Sequence, residues 1–438
     1  MADQNPKDSR LLLKFSGCVA LHTWIPFIVL SVITTAFAPV NLVFADTSAV
    51  PQLAQWEANM ISYGRQHCNE LTPGAAPDYD QIQYTYYDAI AAYYQIMTYT
   101  GDPTWRYCVG LALSVYRDKL VLPQNGQMQG YWAFTKGLLI DWQRTHDPLD
   151  YTAIDGIVHN TAFERDGTPL EWTASTDSSR EIAYAIINYL NAEAVGEPRR
   201  ARLADMVNQS LGHIDQWFIS RTASYMRPFM VALTCKALIQ YYEVTLDPRI
   251  PPAVKTAIDG VWSQTWLPDQ LTFEYTNVVT STGGLDPTPD LNLLIAPVYA
   301  WWYLQSGETT YRDKADLIFE GGVRNGSPSL YYAKQFNQNY FWSFDYLRYR
   351  MLAQPGTATA STPATSPTPS STQPPVTQAL TTTPTTTTPT TITVTPTTPT
   401  TQTGTTSIDQ STRSTTQSSK GQSDGFLGKL KHLLDRVR

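Results

Sequence analysis

The chain is 438 residues long, 42% hydrophobic and 16% charged, with a formal net charge of −7. Residues 1–45 carry +1 and residues 409–438 carry +3, which leaves −11 on the stretch between them. So acidic a body excludes nucleic acid as the main partner, and it disfavours a strongly anionic polysaccharide unless a local arginine cluster captures one.

Residues 1–45 read as an export leader. Lys7, Arg10 and Lys14 precede an apolar, uncharged run over 24–38, and Val43-Phe44-Ala45 offers a cleavage site. A signal peptide fits this order, with an uncleaved signal anchor as the alternative. Either way the body is secreted, periplasmic or held at the cell surface. Past the leader stand Cys68, Cys108 and Cys235, so at most one internal disulfide forms, and Cys68 with Cys108 is one such pair. Cys235 lies in a very apolar run and reads as a buried thiol. No CxxC pair and no histidines at ligand spacing occur, so neither a metal nor a cofactor is expected.

A turn signal recurs through the body: Thr100-Gly101-Asp102-Pro103, Thr145-His146-Asp147-Pro148, Val195-Gly196-Glu197-Pro198, Thr245-Leu246-Asp247-Pro248 and Ser306-Gly307-Glu308-Thr309. Glycine ends a helix in the left-handed conformation, aspartate caps the next one, and proline fits its first position. Helices before the turns are apolar nearly all round, as over 182–190, 229–242 and 293–304. Those after them are one-sided: in 199–218, Leu203, Met206, Val207, Leu211, Ile214 and Trp217 keep helical spacing. The first kind belongs inside and the second outside. Five turns give five hairpins, and the remaining segments 51–66 and 339–353 pair as a sixth. The expected fold is all-α, an (α/α)6 toroid over 46–355, with an open α-solenoid as the alternative. The Thr/Val run at 276–282 is expected to add a short hairpin piece.

This helix order, with turns such as Tyr99-Thr100-Gly101-Asp102-Pro103-Thr104-Trp105, resembles the six-hairpin glycosidase superfamily over about 46–355. The resemblance implies a helical toroid of the kind found among glycoside hydrolases, polysaccharide lyases and sugar epimerases, with a cleft at one end. It implies a scaffold and not a reaction.

The connections between hairpins are long: 67–83, 120–130, 159–179, 219–227, 267–290 and 323–338. Alternation puts them at one end, where the inner helices begin, and long loops on a rigid scaffold carry function. Aromatic residues there suit sugar faces, and Tyr87, Trp132, Trp172, Tyr225, Arg227 and Trp342 are the candidate substrate-binding residues. Glycoside hydrolysis needs two carboxylates in unlike settings. Asp88, Glu181 and Asp345, with Arg180, are the candidate catalytic residues. Asp177 reads as a cap, and Glu171 and Glu274 sit in loops beside Trp172 and Tyr275. A lyase or epimerase would instead use a tyrosine or histidine base and a cation or amide to neutralise a carboxylate; Tyr225-Met226-Arg227 and the run Lys334 to Asn339 could supply those. His67 and His159 fall in the same connections. The expected function is an exported carbohydrate-active enzyme, a glycoside hydrolase first, then a lyase or epimerase, then a non-catalytic glycan- or partner-binding surface protein. The expected partner is an oligo- or polysaccharide.

Gly356 to Ile408 contains no charged and no aromatic residue, so 356–423 reads as a disordered Thr/Pro/Ser-rich linker. In 424–438, Phe426, Leu427, Leu430, Leu433, Leu434 and Val437 share one helical face with cations opposite, a basic amphipathic helix suited to an anionic membrane surface or a protein contact.

Overall fold

In the computed structural model, which describes residues 50–278 and 285–352, each of the five short turns carries one residue of positive φ. Gly101, His146, Gly196, Leu246 and Gly307 all take positive φ, at 67°, 54°, 106°, 56° and 71°. The N–H groups of Gly101, His146, Leu246 and Gly307 donate to the carbonyls of Met97, Trp142, Tyr242 and Tyr303 at 2.8–3.0 Å. In the three aspartate turns Oδ1 accepts from the N–H two residues on, at Thr104, Leu149 and Arg249. The hydroxyls of Thr100, Thr145, Thr245 and Ser306 accept from the N–H of the acidic residue itself. His146 and Leu246 hold a conformation that costs an L residue roughly 1 kcal/mol, so this hydrogen-bond set outweighs the missing glycine.

The protein is mostly helical. The turns join α3 (Ala89–Thr100) to α4 (Trp105–Val115), α5 (Lys136–Thr145) to α6 (Pro148–Asn160), and α7 (Ser179–Ala194) to α8 (Arg202–Ile214). They also join α9 (Pro228–Thr245) to α10 (Ile250–Thr265), and α11 (Asn292–Ser306) to α12 (Thr309–Asn325). Before them come α1 (Leu53–Glu70) and the short α2 (Asp78–Tyr84); after them comes α13 (Ala333–Leu352). The two members of each hairpin pack together. Of the odd-numbered helices, α3 packs on α5, α5 on α7, α7 on α9, α9 on α11, α11 on α13, and α13 on α3. Every residue of α9 from Pro228 to Ile239 is buried, whereas α10 buries one side only, as expected of helices with and without an exposed face.

The first helix packs beside the last. Trp56 Nε1 donates to Ser343 Oγ at 3.0 Å, Tyr340 Oη donates to the Trp56 carbonyl at 2.7 Å, and the Trp56 ring meets Phe344 edge-on at 5.0 Å. Cys68 and Cys108 form a disulfide that ties α1 to α4, while Cys235 is a free, buried thiol. Strand structure among the described residues is small. β1 (Trp266–Leu267) pairs antiparallel with β2 (Thr272–Phe273), and Glu274 bridges Pro287. The hairpin piece thus precedes 276–282, of which 279–282 lie outside the described residues.

Two boundaries depart from expectation. Helix α13 begins at Ala333, six residues before 339, which shifts Asp345 into its C-terminal half. Helix α1 extends to Glu70, so His67 is helical; its ring is buried and bonded to Glu70 and the Leu330 carbonyl. The leader 1–45, the linker 356–423 and the amphipathic segment 424–438 lie outside the described residues. Among the described residues no helix is long and apolar enough to cross a membrane.

Candidate functional site

Tyr87 and Asp88 stand at the entry to α3 with φ of 63° and 60°, two consecutive non-glycine residues in the left-handed region. Strain of this kind persists where surrounding bonds fix it. Here Asp88 does the fixing: its two oxygens accept from Ala91 N at 3.0 Å and from Gly137 N at 2.9 Å. A Cβ at Gly137 would lie 2.4 Å from Asp88 Oδ1, so glycine is required for that approach. Burial raises the Asp88 pKa to about 6 against the pull of these amides. Asp88 therefore caps α3 and joins it to α5. Both oxygens are engaged in that work, and it holds Tyr87 in place.

Tyr87 belongs to a cluster of aromatic rings where the long connections meet the inner helices. Its ring lies 4.5 Å from Tyr86, and Tyr86 lies 4.5 Å from Trp132, which is buried behind it. Burial pushes the Tyr87 phenol up to about 12, opposed by the Arg180 charge. Tyr86 and Tyr184 are raised further by burial. Arg180 and Glu181, in the first turn of α7, form an ion pair at 2.6 Å. The Arg180 guanidinium lies 5.1 Å from the Tyr131 ring. The loop bearing Tyr131 passes tightly over Glu181: a Cβ at Gly130 would sit 3.1 Å from Glu181 Cγ.

Two further cations border the recess. The Lys334 ammonium lies 5.5 Å from the Tyr86 ring and 6.0 Å from Tyr87. Arg227 has its guanidinium 4.8 Å from the Tyr225 ring and 5.4 Å from Tyr275. Tyr275 stacks on Phe229 at 5.8 Å, and the Tyr225 hydroxyl donates to Asp177. Burial, then the Arg180 charge, lowers the Lys334 pKa, while Asp290 partly offsets them. Asp290, in the turn just before α11, is itself raised by burial. Lys334 thus feels the charges of both Arg180 and Asp290. Trp172 is 61% exposed on its own loop.

The recess is braced from beneath. Asn188 of α7 donates to the Ala133 carbonyl at 3.1 Å and to Glu164 Oε1 at 2.9 Å, and it accepts from Thr135 Oγ1 at 2.7 Å. Asn337 of α13 donates to the Tyr84 and Tyr86 carbonyls, both at 2.8 Å, and Gln338 donates to the Asp290 carbonyl at 3.2 Å.

Asp345 and Trp342 lie elsewhere, because α13 starts early. Asp345 binds Lys236, the basic residue in the middle of α9, and Arg348 approaches it at 3.4 Å. Burial raises the Asp345 pKa, but these two cations outweigh it and the net direction is down. Trp342 is buried, 5.0 Å from the Lys236 ammonium. All four border a cavity of about 390 Å3 formed with Gln143, Asn191 and other residues from the C-terminal halves of α3, α5, α7 and α9. Among the expected catalytic residues, then, Arg180 and Glu181 share the tyrosine recess, Asp88 supports it, and Asp345 faces the short-turn end. Asp290 was missed in the sequence; its signal was the Pro-Asp-Leu start immediately before an apolar helix.

Comparison with known proteins finds no matching family model, no matching curated protein and no matching solved structure. The functional reading rests on the chemistry of these residues.

Proposed function

We propose that the protein is an exported glycoside hydrolase built on a closed (α/α)6 toroid. Closure is supported by the packing of α13 against both α11 and α3, and of α1 beside α13. Export is supported by the Cys68–Cys108 disulfide, a bond that persists in oxidising compartments. The reaction reading is supported by two carboxyl groups at the starts of inner helices: Glu181, ion-paired with Arg180, and Asp290, whose pKa burial has raised and whose charge reaches Lys334. Two carboxyl groups with environments that push them apart are what acid–base cleavage of a glycosidic bond requires. Asp290 is the acid that protonates the departing oxygen. Glu181, ion-paired with Arg180, assists attack at the anomeric carbon, directly or through water. The tyrosine rings supply flat faces for sugars.

A second reading, a lyase or epimerase, draws on Arg227 and Lys334 beside the tyrosines. It is weakened by the upward shift of the Tyr87 phenol, which makes a poor base. Incubation of the protein with a glycan panel separates the readings: hydrolysis releases reducing ends without an unsaturated chromophore, and elimination generates both. Binding without turnover of any member would contradict the enzyme reading and leave a glycan-binding surface protein.

A further inference from the structure

The cavity of about 390 Å3 at the short-turn end takes no part in the proposed reaction. Its wall runs from Ile187 to Ala194 on α7, from Lys236 to Val244 on α9 and from Phe341 to Tyr349 on α13. With about 1.5 Å of rise per residue, these runs make it roughly 10–12 Å deep. Ile187, Lys236 and Trp342 are buried at its floor, and Ala194, Val244 and Arg348 are exposed at its mouth. Its volume falls within the range of small-molecule sites, roughly 300–1,000 Å3. The charges in the wall are already matched. Lys236 is bonded to Asp345, Arg348 lies 3.4 Å from Asp345 and 3.5 Å from Glu243, and Tyr349 donates to Glu243 at 3.0 Å. The Lys136 charge, from α5, also acts on the Asp345 carboxylate. A charged ligand would have to break into these pairs or leave its own charge buried and unpaired, and either is costly.

The wall offers two other kinds of contact. Gln95, Gln143, Asn191 and Gln240 bring carboxamides, each of which carries both donors and an acceptor. Gln240 Nε2 donates to Asn191 Oδ1 at 3.2 Å, which holds that pair in place. Between the amides stand the aliphatic side chains of Leu139, Leu190 and Ile239 and the rings of Phe341 and Trp342. A sugar ring presents the matching mixture: hydroxyls that both donate and accept, and C–H faces that lie on apolar and aromatic surfaces. We infer that this cavity binds a neutral sugar of one or two rings, at a site separate from the proposed catalytic carboxyls. The inference stands on the cavity itself and not on the hydrolase reading. Burial raises the Asp345 pKa, but Lys236 and Arg348 hold it below the usual carboxylate range, so Asp345 has no proton to give a glycosidic oxygen. The site binds and does not cleave.

Titration calorimetry on the full chain tests this. The probes are glucose, galactose, mannose, maltose and cellobiose, each beside one counterpart bearing a carboxylate and one bearing an ammonium. At least one neutral sugar is expected to bind, and its charged counterparts about ten-fold or more weaker. Ala194→Trp and Val244→Trp enlarge exposed side chains at the mouth. Each should weaken that binding about ten-fold or more while keeping the thermal midpoint and the turnover of any glycan the protein cleaves. Glu181→Gln, at the other end, should bind the sugar as the wild type does. No binding of any neutral probe, tighter binding of a charged counterpart, or binding that neither mouth variant weakens would overturn the inference and leave the hydrolase reading to its own assay. Loss of turnover together with binding in both mouth variants would make this cavity the substrate site and remove both.

Discussion

The two ends of the helix assembly make opposite use of charge. At the short-turn end the cavity of about 390 Å3 holds Lys236, Asp345, Glu243 and Arg348, and each of the four has a partner of opposite charge or a hydroxyl. At the long-loop end tyrosine rings cluster, the backbone at Tyr87 and Asp88 is left-handed, and Arg227 and Lys334 lie against those rings at 4.8 and 5.5 Å. Buried charges that satisfy one another hold a structure together, whereas cations at the tyrosine end make their close contacts with rings.

That contrast breaks first at the short-turn end. Asp345→Asn leaves the buried Lys236 ammonium without its carboxylate and should cost roughly 3 kcal/mol, read as a drop in denaturant midpoint. Turnover per folded molecule should stay unchanged. A variant of full stability that is inactive would move the chemistry to this end.

Asp88→Asn comes next. An amide retains one acceptor for two amide donors, so the Gly137 or the Ala91 bond is lost, at about 1–2 kcal/mol. The effect should appear as lower stability with a weaker, indirect fall in activity through Tyr87. A hundredfold loss of turnover at full stability would make Asp88 a reacting group after all.

Stability should also depend on pH in an unusual direction. Burial raises Asp88 to about 6 and Glu164 to about 8, above the values these groups have when unfolded. Between about pH 4 and 8 these two groups hold more protons in the folded state than in the unfolded one, so their stabilisation is greatest at the acidic side and falls as pH rises, while buried His213, lowered to about 4, acts the other way below about pH 6.5. Glu164→Gln, which retains an acceptor for Asn188, should flatten that slope by an amount on the order of a few kcal/mol across the window. A wild-type curve that rises with pH, or a variant with the same slope, would contradict the assignment.

The smallest effect tests the turns. His146→Gly and Leu246→Gly relieve left-handed strain at positions whose sister turns already carry glycine, and each should add about 0.5–1 kcal/mol. A loss of stability would mean that those side chains pack for a purpose.

These turns are also where the sequence was most legible. Their caps are local chemistry, so hydroxyl, left-handed residue, acid and proline announce themselves within four positions. The start of α13 was not legible, for the reverse reason. Ala333-Lys334-Gln335-Phe336-Asn337-Gln338-Asn339 reads as a polar loop, yet Asn337, Gln338 and Asn339 are buried. Asn337 and Gln338 spend their amides on carbonyls of two distant loops. A polar residue that satisfies a tertiary partner cannot be told from one that faces water by its own segment. Asp345 was misplaced by that six-residue error. Arg180 and Glu181 were found because they open an apolar helix, whereas Asp290 acquires its character only from burial and from Lys334, neither visible along the chain.

The central claim is that chemistry lies at the long-loop recess. The most direct test is the turnover of Glu181→Gln and Asp290→Asn on whichever glycan the protein cleaves, measured beside Asp345→Asn and corrected for folded fraction. The account predicts a loss of about a hundredfold or more per folded molecule for each of the first two, and none for the third. Wild-type turnover in Glu181→Gln and Asp290→Asn, or its selective loss in Asp345→Asn, would contradict it.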